Sequence, residues 1–171
     1  TRCQHMLRQG LFVADVCYFY GENGPSSVHF YANEHLQPRK VFQPQTPQGY
    51  DFDCADRTIL ERMRVENGRV VLPHGMSYPY LVVPHNEQMT LGALETIRKL
   101  VLAGATVVGA PPVRTPSLTG YPETETKREA IVKELWPQQE GPEGRRVGKG
   151  RVIHCKSFVS IFAHDGLVLD F

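Results

Sequence analysis

A single segment, residues 80–109, constrains the fold of this chain more than any other part of the sequence. Residues 81–83 and 105–108 are short, largely apolar runs without polar alternation, which is typical of strands covered on both faces. Thr90 is predicted to cap a helix between these runs, and Gly104 to end it. This strand–helix–strand unit is expected to have a right-handed crossover, as about 98% of such units do. The helix face that would be buried repeats at helical spacing and consists of Leu94, Ile97, Leu100 and Val101.

Further strands and helices are predicted before this unit. Residues 11–20 are apolar on both faces apart from Asp15, so they are predicted to form a central strand. Residues 50–52 predict a short strand, and a helix is predicted to follow over residues 54–63. Asp53 stands where a helix cap is expected.

The rest of the chain completes an α/β pattern. An Asn-Gly pair at positions 67 and 68 predicts a β-hairpin. A helix is predicted over residues 124–135, a polar loop over 137–150, a last strand over 151–155 and a helical turn or two over 157–164. About five strands with helices on both faces predict a doubly wound, flavodoxin-like sheet that is mainly parallel.

Length and composition indicate one folded domain. The 171 residues are predicted to form a single α/β domain over residues 11–171, after the end of a helix over residues 1–10. Because that helix lacks a recognisable start, we expect the chain to be a piece of a longer polypeptide. A content of 41% hydrophobic residues is sufficient for a buried core. The net charge of +1 gives no reason to expect nucleic acid or an acidic membrane as a partner.

Motifs for cofactors, metals and nucleophiles are missing from the sequence. No GxGxxG follows a strand, no GxSxG or cysteine elbow follows residues 81–83, and no HxH, HExxH or CxxC pair occurs. We therefore predict no cofactor and no metal. Residues 144–149 place three basic residues beside glycines, which is compatible with an anion site, but the spacing favours a solvated turn.

Two groups of polar residues remain as candidates for a site. Glu22 and Asn23 follow the first predicted strand at its carboxyl end, where open α/β sheets bind ligands. Asp51, Asp53 and Asp56 surround the second predicted strand and the helix after it. Paired carboxylates perform the acid and base steps of glycoside hydrolysis. The sequence favours simpler roles, a helix cap for Asp53 and a loop charge for Glu22.

Aromatic residues accompany these carboxylates. They can stack on sugars or pack against another domain. Several lie within residues 21–48, a connection long enough to predict a functional or partner-packed segment. The aromatic residues are Tyr18, Tyr20, Phe30, Tyr31, Phe42 and Tyr50.

Several stretches of the sequence resemble one enzyme family. They are RCQHMLRQGLFVADVCYFYGENGP (2–25), QGYDFDCADRTILERMRVENGRVVLPHGMSYPYLVVP (48–84), MTLGALETIRKLVLAGATVVGAPP (89–112) and GKGRVI (148–153). Together they cover almost the whole chain. In these sequence motifs, the chain resembles the large α-L-rhamnosidase-type glycoside hydrolases of family 106.

The resemblance implies an accessory α/β domain that follows a catalytic (β/α)-barrel. Its fold would be similar to class I glutamine amidotransferases, without their cysteine. The catalytic glutamates would belong to the barrel, so the resemblance assigns no catalytic residue here. The implied partners are that upstream barrel and the carbohydrate substrate of the parent enzyme.

Alone, the chain is then expected to be inactive and to support the barrel. Its candidate substrate-cleft residues are Tyr20, Glu22, Asn23, Tyr50, Asp51 and Asp53. Two alternatives stay open. The chain is an assembly module that forms a homo-oligomer, or it is a small-ligand-binding domain that uses residues 111–117.

Overall fold

The structure, a computed structural model, describes residues 2–7, 9–22, 44–83 and 88–167. Nine strands and five helices lie within these ranges. The helices are α1 (Arg2–Leu7), α2 (Arg57–Arg62), α3 (Leu91–Ala103), α4 (Glu123–Leu135) and α5 (Phe158–Asp165). The strands are β1 (Val16–Phe19), β2 (Phe52–Ala55), β3 (Arg64–Glu66), β4 (Arg69–Val71), β5 (Ser77–Tyr78), β6 (Tyr80–Val82), β7 (Thr106–Val108), β8 (Arg145–Val147) and β9 (Gly150–Ile153).

The main sheet has six strands in the order β2-β1-β6-β7-β9-β8. The first five are parallel to their neighbours, and β8 pairs with β9 in antiparallel orientation. A mainly parallel sheet was predicted, and it is present. Numbered along the chain, the five parallel strands stand in the order 2-1-3-4-5. That order is found in flavodoxin-like sheets, and the assignment to that class stays a prediction.

Side chains that alternate along the strands form a separate core on each face of the sheet. Cys17, Leu81 and Val107 lie in the core beneath α3 and α4, together with Leu94 and Leu135. The opposite core contains Val16, Tyr18 and Val82 with Phe158 and Phe162 of α5. Because both faces are covered, β6 and β7 carry apolar side chains on each. Helices therefore lie on both faces, as predicted.

The segment that dominates the sequence folds as predicted. It consists of β6, α3 and β7, and β6 pairs with β7 in parallel. The Thr90 hydroxyl accepts a hydrogen bond from Ala93 N–H at 3.3 Å, so it caps α3. Gly104 ends the helix with φ +127°. Burying Leu94 and Ile97 stabilises the fold by about 1.5–3 kcal/mol each.

The predicted hairpin is also confirmed. Asn67 (φ +52°) and Gly68 (φ +77°) connect β3 with β4 in the left-handed conformation that a two-residue turn requires. β4 also pairs with β5, which completes a small antiparallel sheet. β5 was not predicted, because two residues between a turn and β6 give no recognisable pattern.

Two predictions near the start of the chain are wrong. The first strand spans only Val16–Phe19, and Leu11, Phe12 and Val13 before it are 56%, 52% and 79% exposed. β2 begins pairing at Val16, so the sheet does not extend to those apolar residues.

The second strand and the helix after it are shifted along the chain. Asp53 lies inside β2, so it is not the helix cap. The ladder with β1 continues to Ala55, and α2 begins only at Arg57. Asp56 caps this helix by accepting the N–H of Ile59 at 2.8 Å.

The strand β8 was missed because Arg145 and Arg146 are exposed and give no apolar signal. The predicted connection over residues 21–48 falls mostly outside the described residues, as do Asn23, Phe30, Tyr31 and Phe42. No helix in the described part of the chain is both long and apolar enough to span a membrane.

Candidate functional site

The five predicted cleft residues that the structure describes lie at two different edges of the sheet. Tyr20 and Glu22 follow β1 at the carboxyl edge of the sheet, whereas Tyr50 and Asp51 precede β2 at the amino edge. The two strands run parallel, with Val16 opposite Phe52, so the edges lie at opposite ends of the strands. Asp53 lies within β2, and Asn23 lies outside the described residues. Their role in lining a substrate cleft stays a prediction.

At the carboxyl edge, the Glu22 carboxylate is bound by two other elements. Its Oε2 accepts the backbone N–H of Thr90 at 2.8 Å, and its Oε1 accepts the Thr90 hydroxyl at 2.7 Å. Oε1 also forms an ion pair with Arg57 Nη1. The Glu22 side chain is only 14% exposed. Glu22 is therefore not a free loop charge, as the sequence had favoured.

The start of α3 explains why this carboxylate is needed. In many helices, a Glu or Gln at the third helical position accepts the N–H of the capping residue. In α3 that position is Ala93, which has no side-chain acceptor. Glu22, 68 residues earlier, accepts the N–H of Thr90 instead. The positive end of the helix dipole also favours a carboxylate there.

The Arg57 guanidinium completes the cluster from α2. Its Nη1 donates to the Thr90 hydroxyl at 2.7 Å, and its Nε donates to Glu61 at 2.7 Å. A Cβ atom at Gly92 would lie 2.7 Å from Arg57 Nη2, so glycine leaves the space that the guanidinium occupies. We call Glu22, Arg57 and Thr90 the carboxyl-edge cluster.

Asp53 joins the two sheets. Its Oδ2 accepts the hydroxyl of Tyr78 at 2.7 Å, and its Oδ1 accepts the N–H of Cys54 at 2.7 Å. Burial raises the pKa of Tyr78, and the hydrogen bond to Asp53 raises it further. Tyr78 is fully buried, so this bond satisfies a hydroxyl that cannot reach water.

Tyr50 and Asp51 attach neighbouring segments at the amino edge. The Tyr50 hydroxyl donates to the carbonyl of Leu167 at 3.2 Å, and its ring lies 4.5 Å from that of Phe162. The N–H of Asp51 donates to Asp15 Oδ2 at 3.2 Å, while its carbonyl accepts the N–H of Asp15 at 3.0 Å. These bonds join the start of β1 to the start of β2.

A second charged cluster at the amino edge was missed by sequence reasoning. Asp165, the last residue of α5, accepts Arg151 Nη1 at 2.9 Å and forms a further bond with Nη2. It also accepts the Tyr80 hydroxyl at 2.8 Å and contacts His164 Nδ1 at 2.9 Å. We call Tyr80, Arg151, His164 and Asp165 the amino-edge cluster. Its members come from β6, β9 and α5, and no sequence spacing links these three elements.

Charge and burial act in opposite directions at Asp165. Burial tends to raise the pKa of this carboxyl, but hydrogen bonds from Arg151, His164 and Tyr80 lower it to about 2. Burial and the hydrogen bond to Asp165 raise the pKa of Tyr80. Asp165 is therefore ionised and Tyr80 protonated at neutral pH.

The loop over residues 111–117 is held from α4. Glu125 accepts the N–H of Thr115 at 2.8 Å and its hydroxyl at 2.5 Å, and these bonds, with Arg128, lower the pKa of Glu125 to about 2. Arg128 is 7% exposed and donates to the carbonyl of Pro112 at 3.1 Å. These polar groups fix the loop in place.

Two other features concern ligands. A groove of about 420 Å³ is lined by Pro137 and residues 139–144. Glu140 in this groove forms an ion pair with Lys156 at 3.2 Å. Within the described ranges, no group of three or more His, Cys, Asp or Glu side chains is arranged to hold a metal ion.

The chain is similar to glycoside hydrolases over its full length. A family model described as alpha-L-rhamnosidase, glycoside hydrolase family 106, matches residues 1–171. A protein of Formosa agariphila named "Putative beta-glucuronidase" is 31% identical over 172 residues, which is 100% of this chain and 13% of that protein.

A solved rhamnosidase structure is similar as well. The rhamnosidase from Novosphingobium sp. PP1Y is 30% identical and superimposes with a TM-score of 0.76. The match covers 99% of this chain and 15% of that structure. The chain therefore spans about one seventh of the length of these two relatives.

Proposed function

Because the chain belongs to the alpha-L-rhamnosidase family of glycoside hydrolases, we propose that it is a non-catalytic α/β unit of a larger enzyme of that kind. Its work is to support a catalytic barrel in the same polypeptide. The two matches cover 100% and 99% of this chain but only 13% and 15% of the relatives. This coverage is consistent with one unit of a longer glycosidase.

The observation that carries this proposal is the use of the candidate carboxylates. Glycoside hydrolysis needs two carboxyl groups that face the same bond with room for substrate between them. Both oxygens of Glu22 and both oxygens of Asp53 instead accept hydrogen bonds from the chain itself. These groups join elements of the fold, which argues against an acid or base role for either of them.

The topology supports a flavodoxin-like, amidotransferase-like assignment as part of the same proposal. The parallel strands follow the order 2-1-3-4-5, and helices cover both faces. In such sheets ligands bind at the carboxyl edge, between the first and third strands. Here β1 and β6 are those strands, and the carboxyl-edge cluster lies beside them.

An exposed apolar segment supports docking against another domain. Leu11, Phe12 and Val13 are consecutive and are each more than half exposed, and Met6 in α1 is 70% exposed. Apolar residues grouped in this way are typical of interaction surfaces. We assign this segment to the contact with the catalytic barrel.

The direct test is an assay of the 171-residue chain alone on a nitrophenyl α-L-rhamnoside and a nitrophenyl β-D-glucuronide. We expect no release of nitrophenol above the rate of a heat-denatured sample. Turnover that is lost in Glu22→Gln or Asp53→Asn, with the fold retained by circular dichroism, would contradict the proposal.

Of the predicted cleft residues, Tyr20 is the one we propose to meet substrate. It is 36% exposed at the carboxyl edge, whereas Tyr50 is tied to Leu167. In the longer enzyme, Tyr20→Ala is expected to raise KM for a polymeric substrate about tenfold and to leave kcat unchanged, since lost stacking weakens binding by about 1–1.5 kcal/mol. An unchanged KM would contradict a contact between Tyr20 and the substrate.

The same apolar segment also favours the alternative function, a homo-oligomeric assembly module. Light scattering after size exclusion distinguishes the two. A dimer of the 171-residue chain that dissociates in Leu11→Ser, Phe12→Ser, Val13→Ser would support assembly. A monomer in both forms would support docking within one polypeptide.

A further inference from the structure

Positive charge is concentrated in one part of this chain. Residues 144–156 contain five of its 19 Lys and Arg side chains and none of its 18 Asp and Glu side chains. The rest of the chain therefore has 14 basic against 18 acidic side chains. Because residues 144–156 include β8, β9 and the turn between them, the positive charge lies on one hairpin. A local excess of one sign attracts ligands of the opposite sign even when the net charge of a chain is small.

Two of these five charges are neutralised within the chain. Arg151 forms an ion pair with Asp165, and Lys156 forms one with Glu140 at 3.2 Å. The other three side chains are exposed. They are Arg145, Arg146 and Lys149, and we call them the basic hairpin.

The three charges of the basic hairpin are not neutralised by the chain. Arg145 Nη1 donates to a backbone carbonyl, that of Lys133, at 2.8 Å, which places a further cationic residue beside it. In the part of the chain that the structure describes, no carboxylate lies within ion-pair distance of Arg146 or Lys149. Their hydrogen-bond donors are therefore free to bind a ligand.

The stability of the hairpin does not explain these charges. Arg146 in β8 stands directly opposite Arg151 in β9. Side chains in this relation are neighbours on one face of the sheet, and like charges there are destabilising. Arg151 is explained by its ion pair with Asp165, whereas Arg146 has no such partner.

The backbone holds the basic hairpin in a fixed position. The N–H of Lys149 donates to the carbonyl of Leu102 at 3.3 Å, at the end of α3. Gly148 in the same turn has φ +60°, and a Cβ atom there would lie 3.0 Å from Leu102 Cα. β8 is the outermost strand of the main sheet, with β9 as its one neighbour among the described strands. The cations therefore line an open side of the sheet along which an extended polymer can lie.

We propose that Arg145, Arg146 and Lys149 bind acidic carbohydrate, that is, carboxylate or sulfate groups carried on a sugar chain. A guanidinium donates two parallel hydrogen bonds to such oxyanion groups, and an ammonium adds a point charge. The choice of a carbohydrate rests on the proposed function in a glycoside hydrolase. In the longer enzyme, the basic hairpin would hold an acidic polymer away from the bond that is cleaved.

The test is isothermal titration calorimetry of the 171-residue chain with polygalacturonate, dextran sulfate and neutral dextran. We expect both acidic polymers to bind at low ionic strength and neutral dextran not to bind. The tighter of the two identifies carboxylate or sulfate as the preferred group. Binding should weaken as NaCl is raised to about 0.15 M, because exposed charges are then screened over about 8 Å.

Two triple variants separate the basic hairpin from the charge of the whole chain. Replacing its three cations with Gln should weaken binding of the preferred polymer about tenfold. The matched control removes the same charge from exposed positions on α2, α3 and α4, and should weaken binding less than about twofold. The hairpin variant is Arg145→Gln, Arg146→Gln, Lys149→Gln, and the control is Arg62→Gln, Lys99→Gln, Lys127→Gln.

A charge reversal excludes a simpler role. Charged side chains on an outer strand also prevent pairing with other chains, and either sign serves that purpose. Arg145→Glu, Arg146→Glu should therefore stay folded by circular dichroism and lose binding of the acidic polymers. Retained binding in this variant would overturn the proposal.

Equal weakening in the two triple variants, or no binding of either acidic polymer, would also overturn it. So would tighter binding of duplex DNA than of both acidic polysaccharides. These results are distinct from a failure of the proposed function, which is measured by release of nitrophenol. An inactive chain that binds no acidic polymer rejects this inference alone.

Discussion

Each edge of the main sheet has a charged cluster with a carboxylate at a helix end, but the two carboxylates lie at opposite ends of their helices. At the carboxyl edge, Glu22 lies at the start of α3, where the helix dipole favours a negative charge. At the amino edge, Asp165 is the last residue of α5, where the dipole disfavours it. Both accept hydrogen bonds from an arginine and a hydroxyl.

The difference shows what each arginine contributes. Glu22 is stabilised by the backbone of α3 as well as by Arg57, whose side chain is 38% exposed. Asp165 depends on Arg151, whose side chain is 15% exposed, to offset the unfavourable helix end. We therefore expect the arginine to contribute less stability at the carboxyl edge than at the amino edge.

The largest effect is expected from Arg151→Ala. It leaves Asp165 largely buried, charged and at the wrong end of a helix, so the free energy of unfolding should fall by about 2–3 kcal/mol. Urea unfolding at neutral pH measures it. The matched control is Arg146→Ala, directly across the β8–β9 hairpin and exposed, which should change stability by less than about 0.5 kcal/mol. Equal losses in the two variants would contradict a stabilising role of Arg151 at Asp165.

Thr90→Ala is expected to be next, with a loss of about 1–2 kcal/mol. It removes the cap of α3 and a hydroxyl that both Glu22 and Arg57 contact. The same unfolding measurement applies, with Thr58→Ala on the exposed side of α2 as control. A loss no greater than that of the control would mean that the cluster does not secure α3.

Arg57→Ala should lower the free energy of unfolding by about 1 kcal/mol, at most half the loss in Arg151→Ala, because the amide and hydroxyl of Thr90 still bind Glu22. A double-mutant cycle with Glu22→Gln, compared with one for Arg151 and Asp165→Asn, gives the two coupling energies. A larger coupling energy for Arg57 and Glu22 than for Arg151 and Asp165 would contradict the expected difference between the two edges.

An effect about as small as that of Arg57→Ala is the loss of stability in acid. The pKa of Asp165 is lowered from 3.8 to about 2 in the folded chain. The unfolded chain therefore binds a proton first, so the stabilisation is present above pH of about 4 and is lost as the pH falls towards 2, by about 1 kcal/mol after solvent screening. The free energy of unfolding, measured at several pH values across this range, should fall more steeply with decreasing pH for the natural chain than for Asp165→Asn. Parallel curves would contradict the prediction.

Local patterns predicted the central part of the fold. The unit of β6, α3 and β7, its caps at Thr90 and Gly104, and the hairpin at Asn67 and Gly68 follow from residues close together in the sequence. Such features depend on helical periodicity and on backbone conformations that few residues adopt. Sequence motifs along the chain also indicated the family, and the family-model match over residues 1–171 confirms it.

Predictions failed where strand pairing decides the outcome. Asp53 looks like a helix cap because it precedes a helical pattern, yet pairing between β1 and β2 keeps it in a strand. Leu11, Phe12 and Val13 look like strand residues, yet the sheet ends before them. A local sequence pattern contains no information about how far a neighbouring strand extends.

The sequence by itself determined the family, the mainly parallel sheet and the elements built from short-range periodicity. Only the tertiary structure decided what the carboxylates do. Glu22 meets Arg57 and Thr90, and Asp165 meets Tyr80, across separations of 35, 68 and 85 residues. The physical reason is that the strand order brings these residues together, and hydrogen bonds act only over about 3 Å.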